Sequence, residues 1–277
     1  MPELPEVECV RRTLGPRLVG AIVESARLRR RDVLTLPPGQ PHAPREALLL
    51  AGGRVVNLRR HGKQLAIVTH DGRTCIVQLG MTGSLRWSSE PLARGSLTHV
   101  HCVWMLESGR GFFWFVDPRR FGRLTSLREE CLDAHWAGLG PDALTISGSH
   151  LHQALARSRR PIKAALLDQH ALAGVGNIYA DEALFLARLL PHTTCRSLSA
   201  ATWDRLAHAI RAVLAEAVLA GGSTLRDYRD GDGNPGLYQA RHSVYGRAGM
   251  PCPSCGAALS GGLLAQRATV WCPACQG

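Results

Sequence analysis

The chain of 277 residues contains no stretch approaching the ~20 consecutive apolar residues of a bilayer-spanning helix, which excludes an integral helical membrane protein. It also lacks the basic-then-apolar opening of an export signal. Glu3, Glu6 and Glu8 stand there instead, so a cytoplasmic, nucleoid-associated protein is expected. No internal repeat is present, which excludes solenoid and propeller architectures. Paired cysteines are missing outside the C-terminus: Cys9, Cys75, Cys102, Cys131 and Cys195 stand singly among apolar neighbours. That excludes a disulfide scaffold and suits small buried hydrophobes in a reducing compartment. Acidic residues are scarce, 22 against 33 Lys and Arg, giving a net charge of +11 and a pI near 9.8. Such a surplus points to a polyanionic partner, most commonly nucleic acid; a generally basic protein with no polyanion to bind is the alternative.

What is present divides the chain. Leu4, Val7, Val10, Leu14 and Leu18 recur every three or four residues, which predicts an amphipathic helix over residues 3 to 18 with Pro5 in its first turn. From about 54 to 127 the pattern changes to short β runs (Gln64 to His70, Thr74 to Leu79, Val100 to Leu106, Phe112 to Val116), with Asp71-Gly72 and Ser108-Gly109 as hairpin turns. Helical periodicity follows near 150 to 158, 162 to 169, 178 to 188 and 199 to 219. The expected class is α+β: an N-terminal β-sandwich or flattened barrel with a leading helix (1–135), a helical domain (136–225), and a glycine-rich loop with a cysteine-bearing tail (226–277). Residues 37 to 44 read as an exposed loop, and the glycines from Gly221 to Gly236 as a segment too flexible for a core element.

Cys252-x2-Cys255 and Cys272-x2-Cys275, with 16 residues between the pairs, are spaced to offer four thiolates to one tetrahedral Zn2+. No His or carboxylate lies nearby and no ligand position is spare, so the metal is expected to be structural. Four thiolates and the ion lower the net charge to about +9, and the protein stays basic. Arg267, between the pairs, is either a phosphate ligand or a solvated hairpin charge.

Methionine before a small residue is normally removed, which exposes the secondary amine of Pro2. An α-amine, with a pKa of about 7.7 to 8.0, is roughly 10 to 15% neutral at pH 7, against about 0.04% for an ordinary lysine. The positive end of the following helix lowers its pKa further. With Glu3 or Glu6 to move a proton, this amine suits imine chemistry at a sugar carbon. The plain alternative is an ordinary Met-Pro start followed by an acidic first helical turn.

The opening MPELPEVE, LGMTGSL (79–85), DPRRFG (117–122), GVGNIYADEALF (174–185), and the ending VYGR, CPSC and QRATVWCPAC together resemble the formamidopyrimidine-DNA glycosylase family. The match runs from residue 2 to residue 275. The resemblance implies a β-sandwich, a helix-two-turns-helix domain and a C-terminal zinc-finger β-hairpin, acting as a monomer on double-stranded DNA that contains oxidised bases or abasic sites. It implies excision of 8-oxoguanine and formamidopyrimidines followed by β,δ-elimination, with Pro2 as Schiff-base nucleophile, Glu3 as essential acid and Glu6 beside them. Lys63, otherwise a solvated strand-edge lysine, corresponds to the lysine that engages phosphate, and Arg267 joins it.

Further residues enter through the same resemblance. Met81 and Phe121, otherwise core side chains, correspond to wedges that fill the gap left by an everted base, and Arg119 to the reader of the orphaned cytosine. His99, Arg120, Arg157, Arg159, Lys163, Asn177 and Tyr179 are expected against DNA; simple helix capping accounts for Asn177 equally well. Gly222, Ser223, Thr224, Leu225 and Tyr228 correspond to a flap over the lesion. Gln78 and Leu97 depart from the family, where His often stands, so some phosphate contacts are expected to shift. The rivals are an endonuclease VIII-like enzyme for oxidised pyrimidines and a non-catalytic damaged-DNA-binding protein.

Overall fold

The computed structural model describes residues 2–36, 45–93, 97–107 and 109–277. The loop expected at 37–44 and Ser108 of one expected turn lie outside the described residues. The chain divides into two compact units, Met1–Ala137 with Gly221–Gly236, and Gly138–Ala220 with Leu237–Gly277. This grouping differs from the three consecutive parts expected: the glycine-rich segment belongs with the N-terminal unit, and the cysteine-bearing tail with the helices.

The first unit opens with helix α1 (Leu4–Leu18). Strands β1 (Val23–Leu28) and β2 (Leu34–Thr35), short helix α2 (Arg45–Leu48), and strands β3 (Val55–His61), β4 (Gln64–Thr69), β5 (Arg73–Gln78), β6 (Ser84–Ser88), β7 (Val100–Leu106), β8 (Phe112–Val116) and β9 (Arg123–Arg128) follow, then helix α3 (Leu132–Trp136). Two sheets result, one ordered β2-β9-β5-β4-β3 and one β1-β7-β8-β6. Alternation decides which side chains enter the core. In β8, Phe113 and Phe115 are fully buried while Phe112, Trp114 and Val116 are only half-buried. Phe113 stacks on Trp104 of β7 at 4.5 Å between ring centres, and the Trp104 indole N–H finds the Leu49 carbonyl at 2.9 Å. The expected α1 stripe of Leu4, Val7, Val10, Leu14 and Leu18 is buried along its whole length, and α1 packs on β3, β4 and β6. Each such buried side chain stabilises the fold by about 1.5–3 kcal/mol.

The second unit contains α4 (Gly148–Leu155), α5 (Ile162–Leu166), α6 (Asn177–Leu186) and α7 (Ala200–Leu219), followed by the hairpin β10 (Ser260–Leu264) and β11 (Arg267–Trp271). Ser147 and Ser199 start α4 and α7, their hydroxyls accepting the His150 and Thr202 backbone N–H groups. The two-residue turn Ala265-Gln266 adopts φ of +49° and +61°, the left-handed pair that a tight hairpin demands, and it does so without glycine. Among the described residues no helix is long and apolar enough to cross a membrane. Cys9, Cys75, Cys102 and Cys195 are buried as expected, but Cys131 is exposed, because it precedes α3 on the surface of the first unit.

Candidate active site

Pro2 is buried directly before α1, and Glu3 is the N-cap of that helix. A reciprocal capping box ties the start of the chain: the Glu6 amide donates to the Glu3 side chain, and the Glu3 amide donates to Glu6 Oε2 at 2.8 Å. The other Glu6 oxygen accepts the Ser223 amide at 2.7 Å, so backbone amides hold both oxygens of this carboxylate. Gly222 makes that approach possible. It sits at φ +83°, and a Cβ there would stand 2.8 Å from Glu6 Oε1.

The segment around Ser223 is consequently part of the first unit's core structure rather than only a loop. Tyr228 belongs to the hydrophobic core and donates its hydroxyl to the Glu6 carbonyl at 3.2 Å, which corrects the expectation that this stretch contributes nothing to a core and sets the Tyr228 side chain away from a flap surface. Thr224 donates to the Tyr228 carbonyl at 3.1 Å, and Leu225 is exposed. Burial pushes the Cys9 thiol beneath this segment up to about 12, so it stays a neutral hydrophobe.

Strands β3 and β4 join through Gly62-Lys63, with Gly62 at φ +54°. Of the 33 Lys and Arg residues in the sequence only two are lysines, Lys63 and Lys163, and Lys163 is fully buried. Lys63 is therefore the one lysine that is not buried. Its turn is tied to α1 through Arg60, which donates from Nε to Glu8 Oε2 and from Nη1 to the Gly62 carbonyl, both at 3.0 Å. Burial pulls the Glu8 carboxyl upward, but hydrogen bonds from Arg11, Arg12 and Arg60 outweigh it and hold it at about 2.

A second pair of loops converges at Asp117, a fully buried carboxylate. It accepts the Thr82 hydroxyl at 2.5 Å, the Arg119 amide at 3.2 Å and the Gly122 amide at 2.6 Å. The loop of Met81 is thereby fixed against that of Arg119, Arg120 and Phe121. Gly80 lets the backbones touch: a Cβ there would stand 2.6 Å from the Phe121 carbonyl carbon. Phe121 is 53% exposed, its ring lies 5.1 Å from the Arg119 guanidinium, and Met81 is half-buried. His99 and Arg120 are exposed at φ +62° and +63°, outside the usual range of such residues. Sequence reasoning missed Asp117, whose only signal was its place at the head of DPRRFG.

In the second unit Arg157 and Arg159 are exposed. Lys163, expected against DNA, is 0% exposed: its ammonium lies 2.7 Å from Asp181 and donates to the Ala268 carbonyl (2.9 Å) and Thr269 Oγ1 (2.8 Å). Burial pushes the Asp181 carboxyl up to about 6, against the pull of that ammonium. Tyr179 is likewise buried, its ring 5.9 Å from Tyr238, and presents no surface to a ligand. Gly176, not Asn177, caps α6; the Asn177 amide reaches instead to the Ala268 carbonyl at 3.0 Å. Lys163 and Asn177 thus share one carbonyl beside Arg267, an exposed residue at the start of β11.

The Sγ atoms of Cys252, Cys255, Cys272 and Cys275 all lie within 4.8 Å of one another. Two of the separations are 3.9 Å (Cys252 to Cys275) and 3.6 Å (Cys255 to Cys272). A tetrahedral Zn2+ with Zn–S bonds near 2.3 Å requires about 3.8 Å between sulfurs, so this donor set fits the ion in both chemistry and size.

Against known proteins, the formamidopyrimidine-DNA glycosylase N-terminal domain matches residues 1–124, and the formamidopyrimidine-DNA glycosylase H2TH domain matches residues 138–229. The formamidopyrimidine-DNA glycosylase of Thermomicrobium roseum is 44% identical over 292 residues, covering 100% of this chain and 99% of its own. Among solved structures, the MutM (Fpg) protein of Thermus thermophilus is similar with a TM-score of 0.85 at 42% identity, covering 99% of this chain and 98% of its own. A Lactococcus lactis Fpg mutant in complex with DNA containing Fapy-dG is similar with a TM-score of 0.88 at 30% identity, covering 99% of both chains.

Proposed function

The chain belongs to the formamidopyrimidine-DNA glycosylase family, and we propose that it excises 8-oxoguanine and formamidopyrimidines from duplex DNA and then cuts the strand, with Pro2 as the nucleophile. The observation that carries this reading is the start of α1, where Pro2 precedes a glutamate N-cap at the positive end of the helix. Once Met1 is removed, the Pro2 nitrogen has a lone pair to form a bond with C1′ of the damaged nucleotide. The base departs with a proton, and Glu3 supplies a proton to the ring oxygen as the sugar opens to an iminium. Loss of the C2′ proton expels the 3′ phosphate, a second elimination expels the 5′ phosphate, and water releases the sugar remnant from Pro2.

Lys63 engages a phosphate beside the reacting sugar and assists elimination, together with Arg267. A surface otherwise supplied with arginine keeps at residue 63 the one cation that is a compact point charge able to exchange a proton. Met81 and Phe121 fill the gap left by the everted base while Arg119 pairs with the base left opposite. Arg157 and Arg159 neutralise backbone phosphates, and Gly222 to Leu225 meet the everted purine. The four cysteines would hold one Zn2+, which supplies rigidity to the hairpin that bears Arg267 and takes no part in bond breaking. Such a protein works in the cytoplasm, associated with the nucleoid.

Borohydride reduction of the enzyme with a duplex containing 8-oxoguanine opposite cytosine tests the reading. The expected result is a covalent adduct whose attached peptide begins at Pro2. Attachment at Lys63, or cleavage faster on thymine glycol than on 8-oxoguanine, would overturn it.

A further inference from the structure

Glu8 and Arg60 have no part in the chemistry above, yet together they connect two of its components. The carboxylate of Glu8 is saturated: Oε1 accepts from Arg11 Nη2 at 2.7 Å and Arg12 Nε at 2.8 Å, while Oε2 accepts from Arg11 Nε at 2.9 Å and Arg60 Nε at 3.0 Å. Arg11 and Arg12 are anchored on the helix itself, so they fix the direction in which Glu8 meets Arg60. The Arg60 and Glu8 side chains are only 8% and 6% exposed. Arg60 then uses a different edge of its guanidinium for the Gly62 carbonyl. That carbonyl lies in the peptide plane whose nitrogen belongs to Lys63. The chain of bonds therefore runs from the helix that Pro2 and Glu3 precede to the backbone of Lys63, and both links are charge-assisted and made by a largely buried guanidinium.

We propose that Glu8 and Arg60 are positioning residues for Lys63, setting the β3–β4 turn against the helix that carries the nucleophile; the inference rests on the reaction proposed above. Stability alone does not require such an arrangement, since buried ion pairs are often replaceable by apolar residues at no loss. What an apolar pair could not do is hold a carbonyl at a set angle. A planar guanidinium bridging two acceptors in different directions does this, and an ammonium does not.

Arg60→Lys keeps the charge and removes the bridge, and Glu8→Gln removes the anchor while keeping the shape. Both are compared with wild type on an 8-oxoguanine duplex, scoring intact strands that hot alkali breaks (base released, strand uncut) separately from strands already cut. A merely loosened fold slows both stages alike. The expected result is that either variant slows cutting by about tenfold more than base release, so alkali-labile strands accumulate. In a Lys63→Ala background Arg60→Lys adds nothing further. If Arg60→Lys does not fold, Glu8→Gln with Lys63→Ala completes the same cycle. Equal slowing of both stages, or an effect that multiplies with that of Lys63→Ala, overturns the inference. Absence of any borohydride adduct with the wild-type enzyme refutes the reaction itself, a distinct outcome.

Discussion

Asp117 accepts the Gly122 backbone N–H at 2.6 Å, and its other oxygen takes the Thr82 hydroxyl and the Arg119 amide. One buried carboxylate thus sets the spacing between the Met81 loop and the Arg119–Phe121 loop. Asp117→Ala leaves the buried Gly122 amide and the half-buried Thr82 hydroxyl without their acceptor and should cost about 2–4 kcal/mol in chemical denaturation. Arg119→Ala, at an exposed position, should leave stability within about 0.5 kcal/mol while lowering excision. Equal stability of wild type and Asp117→Ala would refute the role of Asp117 as the pin between these loops.

Glu8 gives a pH signature. Its folded-state pKa of about 2 lies below the ordinary carboxylate value of 4.5, so its stabilisation is fully present above pH 4.5 and disappears as pH falls toward 2. The shift corresponds to a contribution on the order of 3 kcal/mol at neutral pH. Glu8→Gln should be less stable than wild type at pH 7, and the gap should narrow steadily in urea titrations between pH 4.5 and pH 3. A constant gap would contradict the assignment.

Lys163 and Arg157 should separate under salt titration. Arg157→Ala, removing an exposed cation, is expected to reduce the slope of log binding against log salt by about one phosphate contact. Lys163→Ala should destabilise the second unit by about 3–5 kcal/mol, because it strands the buried Asp181 carboxylate. Its salt slope, measured where the variant is folded, should match wild type. A reduced slope would mean that Lys163 meets phosphate directly.

Metal analysis of the purified protein should find one zinc per chain, and Cys255→Ser should lower that content. Chelation should weaken duplex binding by freeing the β10–β11 hairpin, with the first unit's denaturation profile unchanged. Full duplex affinity after complete metal removal would sink the structural assignment.

The sequence was most legible where a period is long or a spacing is chemically specific. Strands β7 and β8 begin and end where alternation predicts, and α7 ends at the predicted Leu219. Strand β1 was missed because Glu24, Ser25 and Arg27 dilute its apolar pattern, and α3 because five residues are too few to show a helical period. The burial of Lys163 depends on Asp181, 18 positions away, and on a hairpin over a hundred residues distant, so no local pattern announces it. One overlooked signal was available: in a chain with so much arginine, each of two lysines has a reason to be lysine. One is a buried ion-pair partner, and the other stands at the proposed phosphate contact.

Because Ser223 and Tyr228 close the first unit over Glu6, the fold around the N-terminus stays unfinished while the ribosome makes the first two hundred residues. The amide that fixes Glu6 Oε1 and the phenol that bonds the Glu6 carbonyl arrive only when residues 221 to 236 emerge. The order of synthesis therefore leaves completion of the first unit until most of the chain has been made, and a circular permutant that supplied this segment first would let the unit close earlier.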